Sequence, residues 1–563
     1  MNKLTLPELL AESCEKFSNN VALSYIDGDP FTYEQLGKRV HELSDFLKKK
    51  GITKGDRVVI LSENQPNWGI SYFAITAIGA IAVPIMTEFH ETQVHHIIRH
   101  SESKAIFISR KLYSKIEETE FEYLTTRIIL DDLTYIPPES NMAKIKDFFA
   151  EGKGEMIKMK EAAMKFIGVS SGEVEEDDLA LVLYTSGTTG HSKGVMLTHK
   201  NIISNVRSVL GFVDVNENDR MLSILPLFHT IESTLGLVTP LSRGASVYYI
   251  DKPPTAGVLL PALSKAKPTV MVSVPLIIEK IFRLKVLPEI RKSALLRNLY
   301  KIPTMRKKIH KKAGHKLGQT FGGNLRMFCI GGAALAGDVE RFLREAGFPY
   351  AIGYGLTETA PLVTGTDNFN TRFGSAGKTI PNVEIKIYDP DPETGEGEVL
   401  IKGPNVMKGY YRDPEQTEQV FTKDGWFRSG DLGVIDKDGY LFIKGRSKNV
   451  IVGSNGKNIY PEEVEAIINS YDCVEESLVF ENNGKLWAKV HFNYDRIDEI
   501  FNIKKLTESD ARTKINELLE QVHKYVNEKV STFSRLTKVI EQIEPFEKTP
   551  TKKIKRFLYG EGE

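Results

Sequence analysis

The sequence predicts an α/β protein built from more than one domain, and three features of the chain support this. Its 563 residues exceed the size that one hydrophobic core usually organises. Helical and strand patterns alternate over residues 1–180, which favours much parallel sheet covered by helices. Beyond residue 390, short strands and turns dominate, and helices then alternate with strands. We therefore expect a large N-terminal domain of mixed and parallel sheets flanked by helices, a β-rich subdomain, and a small C-terminal α+β domain.

Periodic apolar residues define the elements of the N-terminal part in order. Between Gly69 and Met86 the chain carries no charge for 18 residues, which is long enough to suggest a membrane span. This stretch also contains two glycines and Pro84, so we expect a buried helix that runs into a core strand. The predicted elements are the helices Leu6–Lys16, Thr32–Lys50 and Trp68–Gly79 and the strands Arg57–Leu61, Ala80–Pro84, Ala105–Ser109 and Ala180–Tyr184.

The domain boundary is expected at Lys444–Asn449, directly after a hairpin-like DKDGYLFIKG string. This places an N-terminal domain at 1–447, with the β-rich subdomain at about 375–445, and a C-terminal domain at 448–563. The C-terminal elements are predicted to be the helices Pro461–Tyr471 and Ala511–Val530 and the strands Glu476–Phe480, Leu486–Phe492 and Lys538–Ile543.

Composition excludes several classes of protein. With 74 basic and 74 acidic side chains the net charge is zero, so global charge gives no reason to expect nucleic acid binding. Cys14, Cys329 and Cys473 have no metal-ligand spacing and fit a reducing, cytoplasmic setting. The N-terminus carries acidic residues and lacks the apolar core of a signal peptide.

The stretch LVLYTSGTTGHSKGVMLTH, from Leu181 to His199, is the most informative one in the chain. A short apolar strand ends there in a loop whose glycines turn backbone N–H groups toward an anion, while its hydroxyls donate hydrogen bonds and its lysine adds positive charge. This composition predicts a cradle for a polyphosphate. The spacing differs from a Walker A loop, because Ser192 and Gly194 stand where that motif needs other residues. The loop residues are Thr185, Ser186, Gly187, Thr188, Thr189, Gly190 and Lys193.

Three further strings carry chemistry. In Gly353–Thr359, an aromatic between glycines can lie flat against a purine, and a carboxylate can hold a divalent cation. In Trp426–Gly433, the aspartate offers a two-oxygen acceptor suited to a pair of hydroxyls. In Pro550–Arg556, basic residues crowd together, which taken alone is equally typical of a solvated tail.

In this order and separation, the four strings closely resemble those of the adenylate-forming enzymes: acyl-CoA synthetases, adenylation domains and luciferases. The resemblance spans essentially the whole chain and implies an acyl-CoA synthetase-like fold with a mobile C-terminal domain. It implies that the hydroxylated loop grips the β- and γ-phosphates of ATP, with Thr188 and Lys193 taking part in the reaction. One departure is Lys552, which stands where the family usually has glycine.

The resemblance also implies individual roles. Tyr354 stacks on adenine, Glu358 coordinates Mg²⁺ together with Thr188, and Lys553 bridges the carboxylate and the α-phosphate. Asp431 accepts hydrogen bonds from both ribose hydroxyls, and Arg446 contacts the same ribose. The remaining residues expected at the nucleotide are Gly332, Ala333, Gly355, Thr357 and Thr359, with the α-phosphate assigned to Thr359 and shared by Thr357.

A second half-reaction is implied by the position of Lys448, which matches the hinge of the family. Rotation there removes Lys553 from the site and brings Gly453–Pro461 up to line a pantetheine tunnel. Such an enzyme needs no protein nucleophile, because its work is positioning and charge neutralisation around the α-phosphorus.

The resemblance is strongest to bacterial long-chain fatty acid–CoA ligases. Pro226–Thr230 matches the substrate-pocket motif, with His229 as the candidate gate, and no tryptophan stands next to the Thr-Glu pair to close the pocket. We expect an AMP-forming acid–thiol ligase that uses a fatty acid, ATP with Mg²⁺, and coenzyme A. Four alternatives stay open: loading of an acyl carrier protein, release of free acyl-AMP, a luciferase-type oxidase, and a non-catalytic lipid-binding relative.

The segment 280–326 holds fourteen Lys or Arg residues and one acidic residue, Glu289, interleaved with apolar side chains. Basic and apolar residues together suit peripheral docking on an anionic membrane at the inner face. A solvated helical hairpin is the alternative interpretation.

Overall fold

The computed structural model describes residues 4–117, 120–137, 174–186, 192–452, 458–549 and 553–560. By its internal contacts the chain forms two compact units. The first comprises the described residues up to Glu384 together with Ile401–Phe427, and the second comprises Ile385–Leu400 and the described residues from Arg428 onward. The predicted boundary between residues 447 and 448 thus falls inside the second unit.

Strands are numbered here in chain order, and helices are named by their ranges. The strands are β1 (Val21–Tyr25), β2 (Phe31–Thr32), β3 (Arg57–Leu61), β4 (Ile81–Pro84), β5 (Ala105–Ile108), β6 (Thr126–Ile129), β7 (Thr134–Ile136), β8 (Leu179–Ser186), β9 (Ser192–Thr198), β10 (Arg220–Ser223), β11 (Ser246–Tyr249), β12 (Val270–Ser273), β13 (Met327–Ile330), β14 (Tyr350–Gly355), β15 (Leu362–Gly365), β16 (Gly377–Thr379), β17 (Glu384–Tyr388), β18 (Gly397–Lys402), β19 (Gly409–Tyr410), β20 (Phe427–Ile435), β21 (Tyr440–Arg446), β22 (Ile451–Val452), β23 (Asn458–Ile459), β24 (Val474–Asn482), β25 (Lys485–Phe492) and β26 (Lys538–Glu541). The α-helices are Leu6–Lys16, Tyr33–Lys49, Pro66–Ala77, Glu91–Ser101, His199–Leu210, Thr239–Leu241, Ala256–Ala266, Pro275–Ile281, Leu287–Arg291, Ala294–Tyr300, Pro303–Thr320, Gly337–Ala346, Pro414–Val420, Pro461–Ile468, Tyr494–Phe501 and Glu508–Asn527.

The helix Tyr33–Lys49 illustrates how local sequence and burial cooperate. Thr32 and Gln35 form a capping box at its start, which satisfies backbone N–H groups that have no partner within the helix. Leu36, Val40 and Leu43 recur at helical spacing and are fully buried. Each such side chain contributes about 2 kcal/mol by leaving water, so an aspartate in place of Val40 would disrupt the helix packing.

One sheet of the first unit has the order β19-β9-β8-β4-β3-β5-β6-β7. Its middle strands are parallel, and β8 and β9 form an antiparallel hairpin. The uncharged stretch Gly69–Met86 contributes the helix Pro66–Ala77 and strand β4, both buried in this unit, as predicted. In the part of the chain that the structure describes, none of the helices combines the length and the apolar character that crossing a bilayer requires.

The other sheet of the first unit includes the strands β16-β15-β14-β13-β12-β10-β11-β1-β2 in that order. The strands from β1 through β11, β10, β12 and β13 to β14 are parallel to their neighbours. Their sequences are almost continuous apolar runs, as in VMVS and MFCI, because helices cover both faces of such a sheet.

The second unit contains the strands β17, β18, β20 and β21, the short pair β22–β23, and a three-stranded sheet β24-β25-β26. The helices Pro461–Ile468 and Glu508–Asn527 pack on that last sheet around Val464, Val522 and Val490. The predicted α/β fold is confirmed, and the predicted helices and strands agree with the observed ones within a few residues at their ends.

A buried histidine ties the N-terminal helix to the helix His199–Leu210, which directly follows strand β9. His199 has no exposed surface, and its Nδ1 accepts a hydrogen bond of 3.2 Å from the backbone N–H of Leu6. Burial lowers the pKa of His199 to about 4, with Asp178 opposing and Lys54 assisting that shift. The folded protein therefore holds this imidazole neutral.

We predict that His199 makes the fold sensitive to acid. The unfolded chain protonates this group near pH 6.5, whereas the folded chain does so only near pH 4. The free energy of unfolding therefore keeps its full value above pH 6.5 and falls by about 3 kcal/mol as the pH decreases through this range. Replacement His199→Asn keeps an acceptor for Leu6 and removes the titration. The decrease in the urea midpoint of unfolding between pH 7 and pH 5 should be smaller in that variant than in wild type. The matched variant His41→Asn, at an exposed position, should behave like wild type, and equal acid loss in all three proteins would contradict the assignment.

Candidate active site

Three predicted segments lie at one edge of a parallel sheet. Strands β10, β12, β13 and β14 are successive parallel neighbours, so their carboxyl ends meet at the same edge. The string Pro226–Thr230 follows β10, and the string Gly353–Thr359 overlaps the end of β14. The glycine motif Ile330–Ala334, which holds the predicted nucleotide residues Gly332 and Ala333, begins at the last residue of β13. Ligands of open α/β sheets bind in the crevice beyond these ends. The topology therefore brings the predicted pocket motif, glycine motif and aromatic–carboxylate motif together.

The turn after β14 is built for close backbone approach. A Cβ at Gly355 would stand 1.8 Å from the carbonyl oxygen of Pro361, so only glycine fits there. Thr359 has no exposed surface, and its hydroxyl donates to the carbonyls of Leu356 and Pro361. The Thr359 hydroxyl thus holds the turn, and its phosphate-binding role stays a prediction. The neighbouring Thr357, which shares that predicted role, is partly exposed.

Two buried asparagines that the sequence analysis missed fix this turn. The Nδ2 groups of Asn205 and Asn405 each donate to the carbonyls of Thr359 and Leu362, at 2.8 to 3.2 Å. Asn205 also accepts from the N–H of Leu362 through its Oδ1. Both lie in elements with unremarkable sequence patterns, and a lone asparagine in a helix or loop gives no signal of such a role.

Glu358 and Lys193 each have a defined partner in the first unit. The hydroxyl of Tyr410 donates to Glu358 Oε1 at 3.0 Å, and Lys193 Nζ donates to Gln416 Oε1 at 2.6 Å. Lys193 stands on β9 opposite Thr185 on β8. The predicted residues Gly187, Thr188, Thr189 and Gly190 lie outside the described residues, as does the side chain of Ser186.

An apolar pocket opens at the same edge of the sheet. Gly332, Tyr354 and Gly355 line it together with strand residues that lie deeper in the core. Gly332 has a φ of +85°, which a side chain would strain, and Gly332 and Ala333 are exposed beside the pocket. The pocket has a cavity volume of about 70 Å³, and the space reaches about 760 Å³ only when the open solvent at its mouth is counted. Its deeper apolar lining includes Val209, Phe212, Met221, Ile231, Leu235, Val270, Val272, Cys329 and Ala351.

Beneath the Pro226–Thr230 string lies a polar network that sequence reasoning also missed. Ser223 Oγ donates to Glu232 Oε1 at 2.5 Å and accepts from Asn64 Nδ2 at 2.9 Å. Complete burial raises the pKa of Glu232 to about 8, so its carboxyl group is largely neutral at pH 7. A Cβ at Gly236 would meet this carboxyl group at 2.6 Å, which explains that glycine. Ile231 lines the pocket, whereas His229 is not among the lining residues, and its gating role stays a prediction.

The second unit holds the other predicted residues. Asp431 on β20 lies opposite Arg446 on β21, and Arg446 Nε approaches Asp431 Oδ1 at 2.9 Å. Arg446 Nη1 donates to the carbonyl of Ser429, whose hydroxyl donates to the carbonyl of Val399 at 2.6 Å. The strand pairing thus presents the carboxylate and the guanidinium side by side. Lys448 follows in the exposed turn Ser447–Asn449.

Lys553 stands on a short hairpin whose ends are anchored. Thr549 N–H donates to the carbonyl of Lys553 at 2.7 Å, and Lys553 N–H donates to Thr549 Oγ1 at 3.2 Å. Ile554 packs in an apolar cluster with Phe546, and Arg556 pairs with the buried Glu465. Arg556, the last residue of the basic string, therefore anchors the hairpin that carries Lys553.

A magnesium ion fits the donor set around Glu358. Mg²⁺ usually takes one or two carboxylates and otherwise substrate phosphates and water. In the described ranges, no group of three or more His, Cys, Asp or Glu side chains gathers as metal ligands. Glu358 is partly exposed and offers a hard oxygen, which matches an ion that arrives with the nucleotide.

The chain is similar to known proteins of one family in both sequence and fold. The family model described as AMP-binding enzyme matches residues 10–411. The chain is 27% identical over 84% of its length to the chloroplastic long-chain-fatty-acid–[acyl-carrier-protein] ligase AEE15 of Arabidopsis thaliana, covering 74% of that protein. It is 28% identical over 84% of its length to a long-chain-fatty-acid–CoA ligase of Bacillus subtilis, covering 82% of it. Among solved structures, ATP-bound MatB from Rhodopseudomonas palustris is similar, with a TM-score of 0.73 and 25% identity over 98% of this chain and 97% of that one.

Proposed function

The chain belongs to the AMP-binding enzyme family, and from that premise we propose that it activates a long-chain fatty acid with ATP and transfers the acyl group to coenzyme A. The family supports an adenylate-forming acyl ligase. The observation that carries the finer proposal is the junction at Gly332, Tyr354 and Gly355, where the nucleotide motifs meet the mouth of an apolar pocket. A carboxylate at that mouth would face the α-phosphate while its hydrocarbon chain lies among apolar side chains.

The first half-reaction joins a carboxylate oxygen to the α-phosphorus of ATP and releases pyrophosphate. Both reactants are anionic, so catalysis requires positioning and neutralisation of charge. Glu358 would hold Mg²⁺, which supplies positive charge to the phosphates when bound. Lys193 and the hydroxylated loop would bind the β- and γ-phosphates, and Tyr354 would stack on adenine. The paired Asp431 and Arg446 would bind the ribose.

Lys553 is proposed to bridge the carboxylate and the α-phosphate during this step. The hairpin anchored by Arg556 gives the lysine a fixed base, which lowers the entropy lost on positioning it. The second half-reaction is proposed to follow a rotation at Lys448, after which a thiolate attacks the acyl carbonyl and AMP leaves. Relatives named for coenzyme A and for an acyl carrier protein leave two classes of thiol acceptor. We propose coenzyme A, with the carrier protein as the alternative.

A second proposal concerns the basic segment 280–326 and an anionic membrane. Its helices display Leu284 at 64% and Leu295 at 68% exposure among lysines and arginines. Exposed leucines on a basic surface are suited to the interface of an anionic bilayer, where each basic residue contributes about 1 kcal/mol. Peripheral docking at the cytoplasmic face would give the pocket access to fatty acids in the membrane.

We predict that the protein releases pyrophosphate from ATP in the presence of a fatty acid. Across acids from acetate to stearate, the rate should rise to long chains, because added methylenes leave water for the pocket. Lys553→Ala should lower this rate by about two to three orders of magnitude through loss of charge stabilisation. The matched variant Lys555→Ala, which loses only a surface pair with Glu547, should stay close to wild type. A preference for acetate, or equal rates for all three proteins, would contradict the proposal.

We predict that Lys448→Pro separates the two half-reactions. Proline restricts the rotation proposed at this residue but leaves the nucleotide-binding residues unchanged. Acid-dependent pyrophosphate release should persist, and formation of the acyl-CoA thioester should fall at least about tenfold. Assays with coenzyme A and with a carrier protein identify the acceptor. Equal loss of both half-reactions would refute the hinge.

We predict salt-sensitive binding to phosphatidylglycerol vesicles, measured by co-sedimentation. The double variant Leu284→Ser/Leu295→Ser should bind less, since the inserted apolar area is gone. Phe369→Ser, at a residue 87% exposed outside the segment, is the control. Binding that ignores salt, or equal binding of all variants, would support the solvated hairpin instead.

A further inference from the structure

Tyr410 contacts the two charged groups that the proposed reaction requires in the first unit. Its hydroxyl donates to Glu358 Oε1 at 3.0 Å, and Lys193 Nζ lies 5.3 Å from the centroid of its ring. The side chain is 7% exposed, so both contacts form away from bulk water, where they are worth more. One tyrosine thus touches the predicted metal ligand and the predicted phosphate ligand.

The backbone around Tyr410 makes the same two connections. Met407 N–H donates to the carbonyl of Glu358 at 2.8 Å, which ties this segment to the turn after β14. Strand β19 pairs with β9, with Tyr410 opposite Val195, two residues beyond Lys193. The segment Met407–Tyr410 therefore sets the spacing between the carboxylate and the ammonium group.

A neighbouring helix holds Tyr410 in place. Tyr410 N–H donates to Thr417 Oγ1 at 2.9 Å, and a Cβ at Gly409 would stand 2.6 Å from the Thr417 side chain. Thr417 lies on the helix Pro414–Val420, which also supplies Gln416, the hydrogen-bond partner of Lys193. Helix and strand thus fix the tyrosine and the lysine as one assembly.

We propose that Tyr410 is a positioning residue for metal–nucleotide binding. Its hydroxyl engages one oxygen of Glu358, which orients the carboxylate and leaves the second oxygen for Mg²⁺. Its ring contacts the ammonium group of Lys193. Both charged groups therefore remain available, Glu358 for the metal ion and Lys193 for the phosphates. This inference rests on the proposed function. It adds a residue that lies outside the sequence motifs from which that function was proposed.

The test is the replacement Tyr410→Phe, which removes one oxygen atom and keeps the ring. Calorimetry should give an affinity for MgATP about tenfold below wild type, as expected for the loss of a hydrogen bond to a charged group. Affinity for ATP in excess EDTA should not change, because Lys193 keeps its aromatic support. Titration with Mn²⁺ and ATP, followed by the electron paramagnetic resonance of free Mn²⁺, should give the same loss without any turnover.

Two further variants make the result specific. Tyr411→Phe removes the hydroxyl of the adjacent tyrosine, whose ring packs against His100, and should bind MgATP like wild type. In a Glu358→Gln background, Tyr410→Phe should cause little additional loss, because the two residues act through one contact. Thermal unfolding of each variant checks that the fold is retained.

The outcomes separate this inference from the proposed function. If wild type binds MgATP and Tyr410→Phe binds it equally well, the positioning role is overturned while the proposed function stands. If Tyr410→Phe weakens MgATP and metal-free ATP by the same factor, a role in orienting the metal ligand is also overturned. If wild type binds no MgATP, both proposals fail.

Discussion

The site depends on one topological constraint: adjacent parallel strands end at the same edge of their sheet. Strands β10, β12, β13 and β14 are such neighbours, and three polar strings follow or end three of them. The strand residues behind that edge are apolar because helices cover the sheet. A polar crevice and an apolar pocket are therefore joined at Gly332 and Tyr354 as a consequence of the fold.

Glycine and asparagine residues fix the backbone conformation at this junction. Gly355 allows the turn to approach Pro361 more closely than any side chain permits. Asn205 and Asn405 each donate to the carbonyls of Thr359 and Leu362 on the two sides of this turn. An unpaired buried carbonyl costs about 1–3 kcal/mol, so these amides are needed for the turn that carries Glu358.

The charged residues of the candidate site have defined hydrogen-bond or ion-pair partners. Glu358 is bonded by Tyr410, Lys193 by Gln416, and Asp431 pairs with Arg446 across two strands. In the lysine hairpin, Arg556 pairs with Glu465, whose pKa burial raises to about 7 against the pull of that arginine. Groups held in this way need little rearrangement when an anionic substrate arrives, which is how polar sites stabilise developing charge.

The sequence by itself determined the α/β class, most helices and strands, and the strings that identify the family. These features are local, since apolar periodicity, turn residues and motif spacing are all written along the chain. It assigned Thr359 to phosphate, which stays a prediction, and only the structure shows that this hydroxyl is buried and bonded within its own turn, because burial is not a local property. The grouping of Ile385–Leu400 with the C-terminal residues was also decided by contacts far apart in sequence. Asn205, Glu232 and Tyr410 form their hydrogen bonds only when other parts of the chain pack against them, which is why the tertiary structure was needed to find these contacts.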